Sequence, residues 1–172
     1  METLPKFRIA PVRPEDLATI ITLVRELAEF ERLLHEVRIT AEDLHEHLFG
    51  ARPYAEAAVA WAGQEPAGFA LWYHNYSTFI GRPGLYLEDL YVRPVYRGQG
   101  YGEALLQHLA ALAVERGCAR LEWSVLDWNQ RAIGFYKKLG AVPMDEWTVY
   151  RVTGEALLAL SRVSGRGPTQ SG

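Results

Sequence analysis

The chain has 172 residues, 49% hydrophobic and 12% aromatic, which is enough apolar material for one globular domain with a sizeable core and too much for a disordered chain. Its 18 basic and 21 acidic residues leave a formal charge of −3, and the cations are scattered instead of forming a stripe, which argues against a nucleic-acid partner. No apolar run approaches the roughly 18 residues that span a bilayer, and no basic segment followed by an apolar run opens the chain, so a cytoplasmic protein without a membrane partner is expected.

Lys6 to Val12 alternates, with Phe7 and Ile9 on one side, and reads as a strand stopped by Arg13-Pro14. From Glu15 to about Arg32, Leu17, Ile20, Ile21, Val24, Leu27 and Ala28 follow the helical period, and Glu15 and Asp16 suit the positive end of the helix dipole. Thr40 with Asp43 predicts a capped second helix through Leu44 and Leu48, stopping at Gly50. His45 and His47 would point about 200° apart on it, so they read as surface residues and no metal is expected.

Ala57 to Ala62 and Gly68 to Tyr76 read as a hairpin about the turn Gly63-Gln64-Glu65-Pro66, and Ser77 to Gly84 as a loop. Trp72, Tyr73 and Tyr76 fit a sheet core or dimer interface better than a cleft lining. Leu85 to Val92 is an apolar strand closed by Arg93-Pro94, and a helix begins near Gly100 and ends at Arg116-Gly117, its buried face marked by Leu105, Leu106, Leu109, Leu112 and Ala113. Leu121 to Leu126 is a further strand, and Gln130 to Leu139 a helix that puts Ile133 and Tyr136 on one side and is closed by Gly140. Trp147 to Val152 reads as a last strand and Thr153 as the cap of a brief helix to about Leu160, while Ser164 to Gly172 has the composition of a disordered tail. One domain over residues 1–163 follows, an α/β fold of mixed sheet with helices on both faces. The lone Cys118 excludes an internal disulfide framework and fits a packed thiol.

Between strand and helix, Tyr96-Arg97-Gly98-Gln99-Gly100-Tyr101-Gly102 sets alternate glycines before a helix N-terminus, where positive φ and unpaired amides suit an anion such as phosphate. A P-loop needs Gly-Lys followed by Ser or Thr, which is absent, and a dinucleotide fingerprint needs glycine where this chain has Glu103.

That loop resembles the pyrophosphate loop of the Gcn5-related N-acetyltransferase superfamily. Phe30-Glu31, Leu85-Tyr86-Leu87-Glu88-Asp89, Trp128-Asn129 and Phe135-Tyr136-Lys137 are similar to segments of diamine (spermidine/spermine) N-acetyltransferases, in matching order up to about Leu158. The resemblance implies a sheet splayed between its central strands, with the pantetheine of acetyl-coenzyme A lying in the opening. It implies that Leu90, Tyr91 and Val92 offer backbone groups to pantetheine, that Gly98, Gln99, Gly100, Tyr101, Gly102 and Glu103 hold the pyrophosphate with Arg97 adding charge, and that Asn129, Gln130, Arg131, Ala132 and Tyr136 meet the coenzyme from the later helix. Asn129 serves equally as an N-cap. Phe30, Glu31, Glu88, Glu122, Trp123 and Ser124 fall at amine-binding positions.

The implied reaction is attack of a neutral amine on a thioester. Tyr136 matches the family's general acid, and its reference pKa of about 10 lies near a thiol's of about 8.5; without the resemblance it reads as a core tyrosine beside Phe135. An amine is charged at neutral pH, so a carboxylate is needed, and Glu88 is the leading one, with Asp89 expected on the opposite face of the strand. The expected acceptor is a small primary amine, either a polyamine or a lysine-like amino acid such as thialysine, and a homodimer is implied. The other class these residues leave open is a non-catalytic acyl-coenzyme A sensor or interaction module.

Overall fold

The computed structural model describes residues 7–162, so the start of the first predicted strand at Lys6 and the predicted tail from Ser164 lie outside the described residues. Five strands form one sheet in chain order: β1 (Phe7–Pro11), β2 (Glu56–Ala62), β3 (Glu65–Ser77), β4 (Arg82–Val92) and β5 (Leu121–Trp123). The first four are mutually antiparallel and β5 runs parallel to β4, giving the expected mixed sheet. Helices α1 (Leu17–Phe30), α2 (Ala41–Phe49) and α3 (Tyr101–Glu115) accompany it, followed by α4 (Gln130–Lys138) and α5 (Gly154–Ser161). The chain divides after Ser124 into two compact units, the first holding the sheet with α1, α2 and α3, the second holding α4 and α5.

Alternation along the strands assigns the two faces of the sheet. Val59, Phe69 and Tyr91 pack with Ile20 and Leu23 of α1 and Leu44 and Leu48 of α2 in one buried cluster. Trp72, three residues past Phe69 and so on the other face, meets His108 of α3 edge-on at 6.3 Å. Helices therefore cover both faces of the first unit. The Thr40 hydroxyl accepts the Asp43 amide at 3.1 Å, the N-cap the sequence predicts for α2.

Four boundaries depart from expectation, the first in the β2–β3 hairpin, where Glu65 and Pro66 are strand rather than turn and pair with Ala62 and Trp61. Arg82, Pro83 and Gly84 are strand rather than loop, paired with Ser77, Tyr76 and Asn75. Gly84 sits inside the strand because the Asn75 side chain closes over it, 2.3 Å from where a Cβ would be, so a residue that reads as a turn marks close packing. Strand β5 stops at Trp123 rather than Leu126. Trp147 to Val152 is not a strand: among the described residues nothing pairs with it, and Val149 and Tyr150 are exposed. In the second unit Thr153 stands at the N-cap of α5 without a side-chain bond, and Gly140 follows α4 at φ +88°, as its role as a stop requires.

At Gly68 the backbones of β3 and β4 approach so closely that a Cβ would lie 2.3 Å from the Tyr91 carbonyl oxygen. Gly68→Ala is expected to destabilise the protein by roughly 1–3 kcal/mol through overpacking, read as a lower denaturation midpoint. A midpoint equal to the parent's would show that the strands separate freely here.

Candidate active site on the fourth strand

Strand β4 changes character at Glu88. Before it, Leu85, Tyr86 and Leu87 are flanked on both sides, by β3 and by Leu121, Glu122 and Trp123 of β5. Leu87 pairs with Trp72 and Asp89 with Leu71, leaving Glu88 as an extra residue in a β-bulge. Past Leu87 no described β5 residue pairs with β4, so Glu88 to Val92 has one edge without a strand beside it. This is the splay that the resemblance implies, seen as a loss of pairing.

The bulge overturns the expectation for Asp89. Regular alternation would put Glu88 and Asp89 on opposite faces, but the extra residue restarts the alternation, and both carboxylates line one cleft of about 340 Å³. Its apolar wall includes Val24, Leu27 and Ala28 of α1. The rest comes from the segment after α1, which turns back sharply: Arg32 takes a left-handed conformation at φ +62°, while the amides of Arg32 and Leu33 donate to Glu29 and Ala28 at 3.0 and 2.7 Å. That is a Schellman turn, and it carries Leu33, Glu36, Val37, Arg38 and Ile39 to the cleft beside Glu31.

Glu31, Glu36, Glu88 and Asp89 thus share one small volume. Burial pushes the Asp89 carboxyl from 3.8 up to about 6, with the charges of Glu88 and Glu31 adding to the shift, and burial also raises Glu31. A cation entering the cleft would offset the repulsion among the carboxylates and favour their charged forms. Asp89, expected on the face away from Glu88, joins it through the bulge, whereas Glu36 and Arg38 have no signal in the sequence, because they lie on a segment without recognisable periodicity.

The glycine loop forms the other end of the site. Gly98 and Gly100 have φ of +75° and +87°, and a Cβ on either would meet nothing within 4 Å. The first of these numbers explains the glycines; the open space leaves room for a ligand to approach the backbone. Gly100 is the N-cap of α3 and lacks a side-chain cap, and the Ala104 amide is the first bound into the helix, to the Gly100 carbonyl at 3.0 Å. The amides of Tyr101, Gly102 and Glu103 head the helix in front of that bond. The Tyr101 ring is buried against Phe7 and Tyr96, so its side chain anchors the helix and only its backbone faces the loop. Gln99 donates to the Val95 carbonyl and Glu103 accepts from Gln107.

Arg97 is partly committed. Its Nε donates to the Val92 carbonyl at 2.9 Å and its guanidinium lies 5.0 Å from the centre of the Phe30 ring, leaving the terminal nitrogens as donors. Glu122 accepts from Arg120 at 2.8 Å and from Asn75 at 3.1 Å, and the Ser124 hydroxyl is 2.8 Å from that of Tyr86. Trp123 is half-buried beside them on β5. In the second unit, Asn129 caps α4 by accepting the Ala132 amide at 3.2 Å, Gln130 donates to the Asp127 carbonyl, Arg131 is exposed, and the Tyr136 ring stands beside Phe135 with centroids 5.6 Å apart.

A bulged strand with one free edge, followed by a glycine loop capping a helix, is the arrangement of an acyl-coenzyme A-dependent transferase. The description "Acetyltransferase (GNAT) family" matches residues 20–141, and the chain belongs to that family. It is 41% identical over 165 residues to a thialysine N-epsilon-acetyltransferase of Mus musculus, covering 90% of this chain and 96% of the relative. It is 32% identical over 165 residues to a spermidine/spermine N(1)-acetyltransferase-like protein of Homo sapiens, covering 90% of this chain and 24% of that longer one. Among solved structures, an integron cassette protein from the mobile metagenome of V. cholerae superposes with a TM-score of 0.76 at 26% identity, covering 91% of this chain and 98% of the other. The protein is thus an acetyltransferase, and members of its family use acetyl-coenzyme A.

The Asp89 shift has a consequence for stability. Its folded pKa of about 6 exceeds the unfolded value of 3.8, so the unfolded chain binds fewer protons between them and stability falls as pH rises through that window. The cost at neutral pH is on the order of 2–3 kcal/mol. Asp89→Asn should raise the melting temperature, with a larger gain near about pH 8 than near about pH 4. Equal gains at both would show that Asp89 is not held against its charge.

Proposed function

We propose that this chain transfers the acetyl group of acetyl-coenzyme A to a primary amine of a small molecule, a polyamine or a lysine-like amino acid, by direct attack in a ternary complex. The observation that carries the reading is a juxtaposition within one stretch of chain: a cleft of carboxylates at Glu88 and Asp89, a strand edge free from Glu88 to Val92, and a helix N-terminus at Gly100. The names of the mouse and human relatives above support an amine acceptor.

The open space at Gly98 and Gly100 fits a pyrophosphate, which the backbone from Gly98 to Glu103 would hold with Arg97 beside it. The free edge fits pantetheine, whose amides would bond to Leu90, Tyr91 and Val92. Acetyl-coenzyme A supplies a thioester whose carbonyl accepts the amine. Glu88 takes the proton of the incoming ammonium, directly or through water, while Asp89 lowers the cost of bringing that cation into the cleft. Phe30 and Glu31 at the end of α1, with Glu122, Trp123 and Ser124 of the β5 end, complete the amine's surroundings. A backbone amide near Leu90 donates to the developing oxyanion, the Tyr136 phenol gives its proton to the departing thiolate, and Asn129 to Ala132 meet the coenzyme from the start of α4. Cys118 has no part in this route. It is a free thiol.

The same reading treats residues 1–163 as one catalytic domain, supported by the family match running across Ser124. It also pairs the chain with a second copy: the β3–β4 hairpin ends in exposed Tyr76, Phe79 and Ile80, a patch that suits an interface. Sedimentation velocity at micromolar concentration should show a dimer; a single monomeric species would refute the pairing.

Thiol release from acetyl-coenzyme A across a panel of small amines tests the activity, with amine-dependent release expected and its absence against every amine overturning the proposal. Tyr136→Phe should lower kcat by about 10²-fold or more while shifting the KM for acetyl-coenzyme A little. Unchanged turnover would remove Tyr136 as the acid. Glu88→Gln should lower kcat/KM for the amine by a similar factor, and kinetics matching the parent's would exclude both of its roles.

A further inference from the structure

The acceptor cleft is not uniformly acidic. Arg38 lines it together with Glu31, Glu36, Glu88 and Asp89. Among the described residues Arg38 forms no ion pair, although four carboxylates border the same cleft, whereas nearby Arg93 is locked onto Glu26 at 2.8 Å and Arg13 lies against Glu15 at 3.1 Å. A guanidinium presents a planar fork that matches a carboxylate in two parallel bonds, and here that fork remains available.

We propose that Arg38 is a specificity-determining residue that receives the carboxylate of the acceptor, so that the cleft prefers an α,ω-diamino acid to a diamine of the same chain length. The inference rests on the acetyl transfer proposed above and narrows its acceptor. The cleft has two chemically different ends. On β4, Glu88 and Asp89 offer only negative charge and suit the ω-amine that is to be acetylated. On the segment after the Arg32 turn, Glu36 and Arg38 stand two residues apart and offer both signs together, with Glu36 Oε1 3.4 Å from His35 Nε2.

An α-amino acid head group also carries both signs together. Its carboxylate would pair with Arg38 and its α-ammonium with Glu36, while a short aliphatic chain crosses the wall of Val24, Leu27 and Ile39. A diamine would instead bring its second cation to Arg38, and repulsion from a like charge discriminates against it. Arg38 is exposed, so water tempers both effects.

The test uses the full chain and thiol release from acetyl-coenzyme A, with lysine and ornithine compared against cadaverine and putrescine, their decarboxylation products. In the parent, kcat/KM should favour the amino acid of each pair by about tenfold or more. Arg38→Gln should reduce that ratio by about tenfold, through a raised KM for the amino acid rather than a lowered kcat, and Arg38→Lys should restore part of it. Melting temperatures of both variants near the parent's would show that the change acts on recognition. Diamines used as well as the amino acids by the parent, or a ratio untouched by Arg38→Gln, would overturn the assignment of Arg38 while leaving acetyl transfer intact. No release with any of the four amines would overturn the assignment together with the activity beneath it.

Discussion

The site depends on one extra residue. With Glu88 bulged out of the ladder between the Leu87–Trp72 and Asp89–Leu71 pairs, β4 does what a regular strand could not. It places two successive carboxylates on the same side just where β5 ends beside Leu87, and the chain then runs on through Arg93-Pro94 to the head of α3. The carboxylate cleft and the glycine loop are consequently parts of one backbone trajectory. Removing the bulge would move Asp89 into the α3 side of the sheet and leave Glu88 alone.

This arrangement is bought at a cost in stability. Two adjacent acids share a partly desolvated cleft with Glu31, and the buried one is held near half-ionisation around pH 6. Such a cluster is tolerated because the rest of the unit over-determines it: Phe69 and Tyr91 fix the sheet beneath, and Ile20 and Leu23 fix α1 above. Under the proposed function, an ammonium group would offset the repulsion among these carboxylates, so that the cluster favours a cation.

How much of this was legible in the sequence follows from how local each feature is. The glycine loop, the amphipathic faces of α1 and α3 and the Thr40 cap depend on residues within a turn or two of one another, and each stands where its pattern puts it. The bulge does not, because register belongs to two strands at once, and nothing in Leu85 to Val92 records which residue β3 will skip. The same holds for Gly84, whose punctuation value misleads until Asn75 is seen closing over it, and for Trp147 to Val152, where alternation alone does not provide a partner. Arg38 is illegible for another reason: it reaches the cleft through the left-handed turn at Arg32, a residue that seldom adopts that conformation and gives no warning of it.

The arginines around the loop show how charge and geometry are divided. Arg93 grips Glu26 of α1 through two nitrogens, at 2.8 and 3.0 Å, and donates to the Pro66 carbonyl at 3.1 Å, tying the end of β4 to a helix and to the start of β3. Arg97 spends its Nε on the Val92 carbonyl and stacks over Phe30, the last residue of α1. Both therefore hold the approach to the glycine loop in place before any ligand binds. In the proposed function, neutralising a pyrophosphate would fall first to the amides at the head of α3, which are fixed by the backbone and need no side chain to be ordered. Cations that would elsewhere be read as phosphate ligands act here chiefly on the backbone that carries the amides. The placement of Phe30 follows from the same bond network: the ring under Arg97 belongs to the helix whose next residue, Glu31, turns into the acceptor cleft, so loop and cleft are held by one side chain between them.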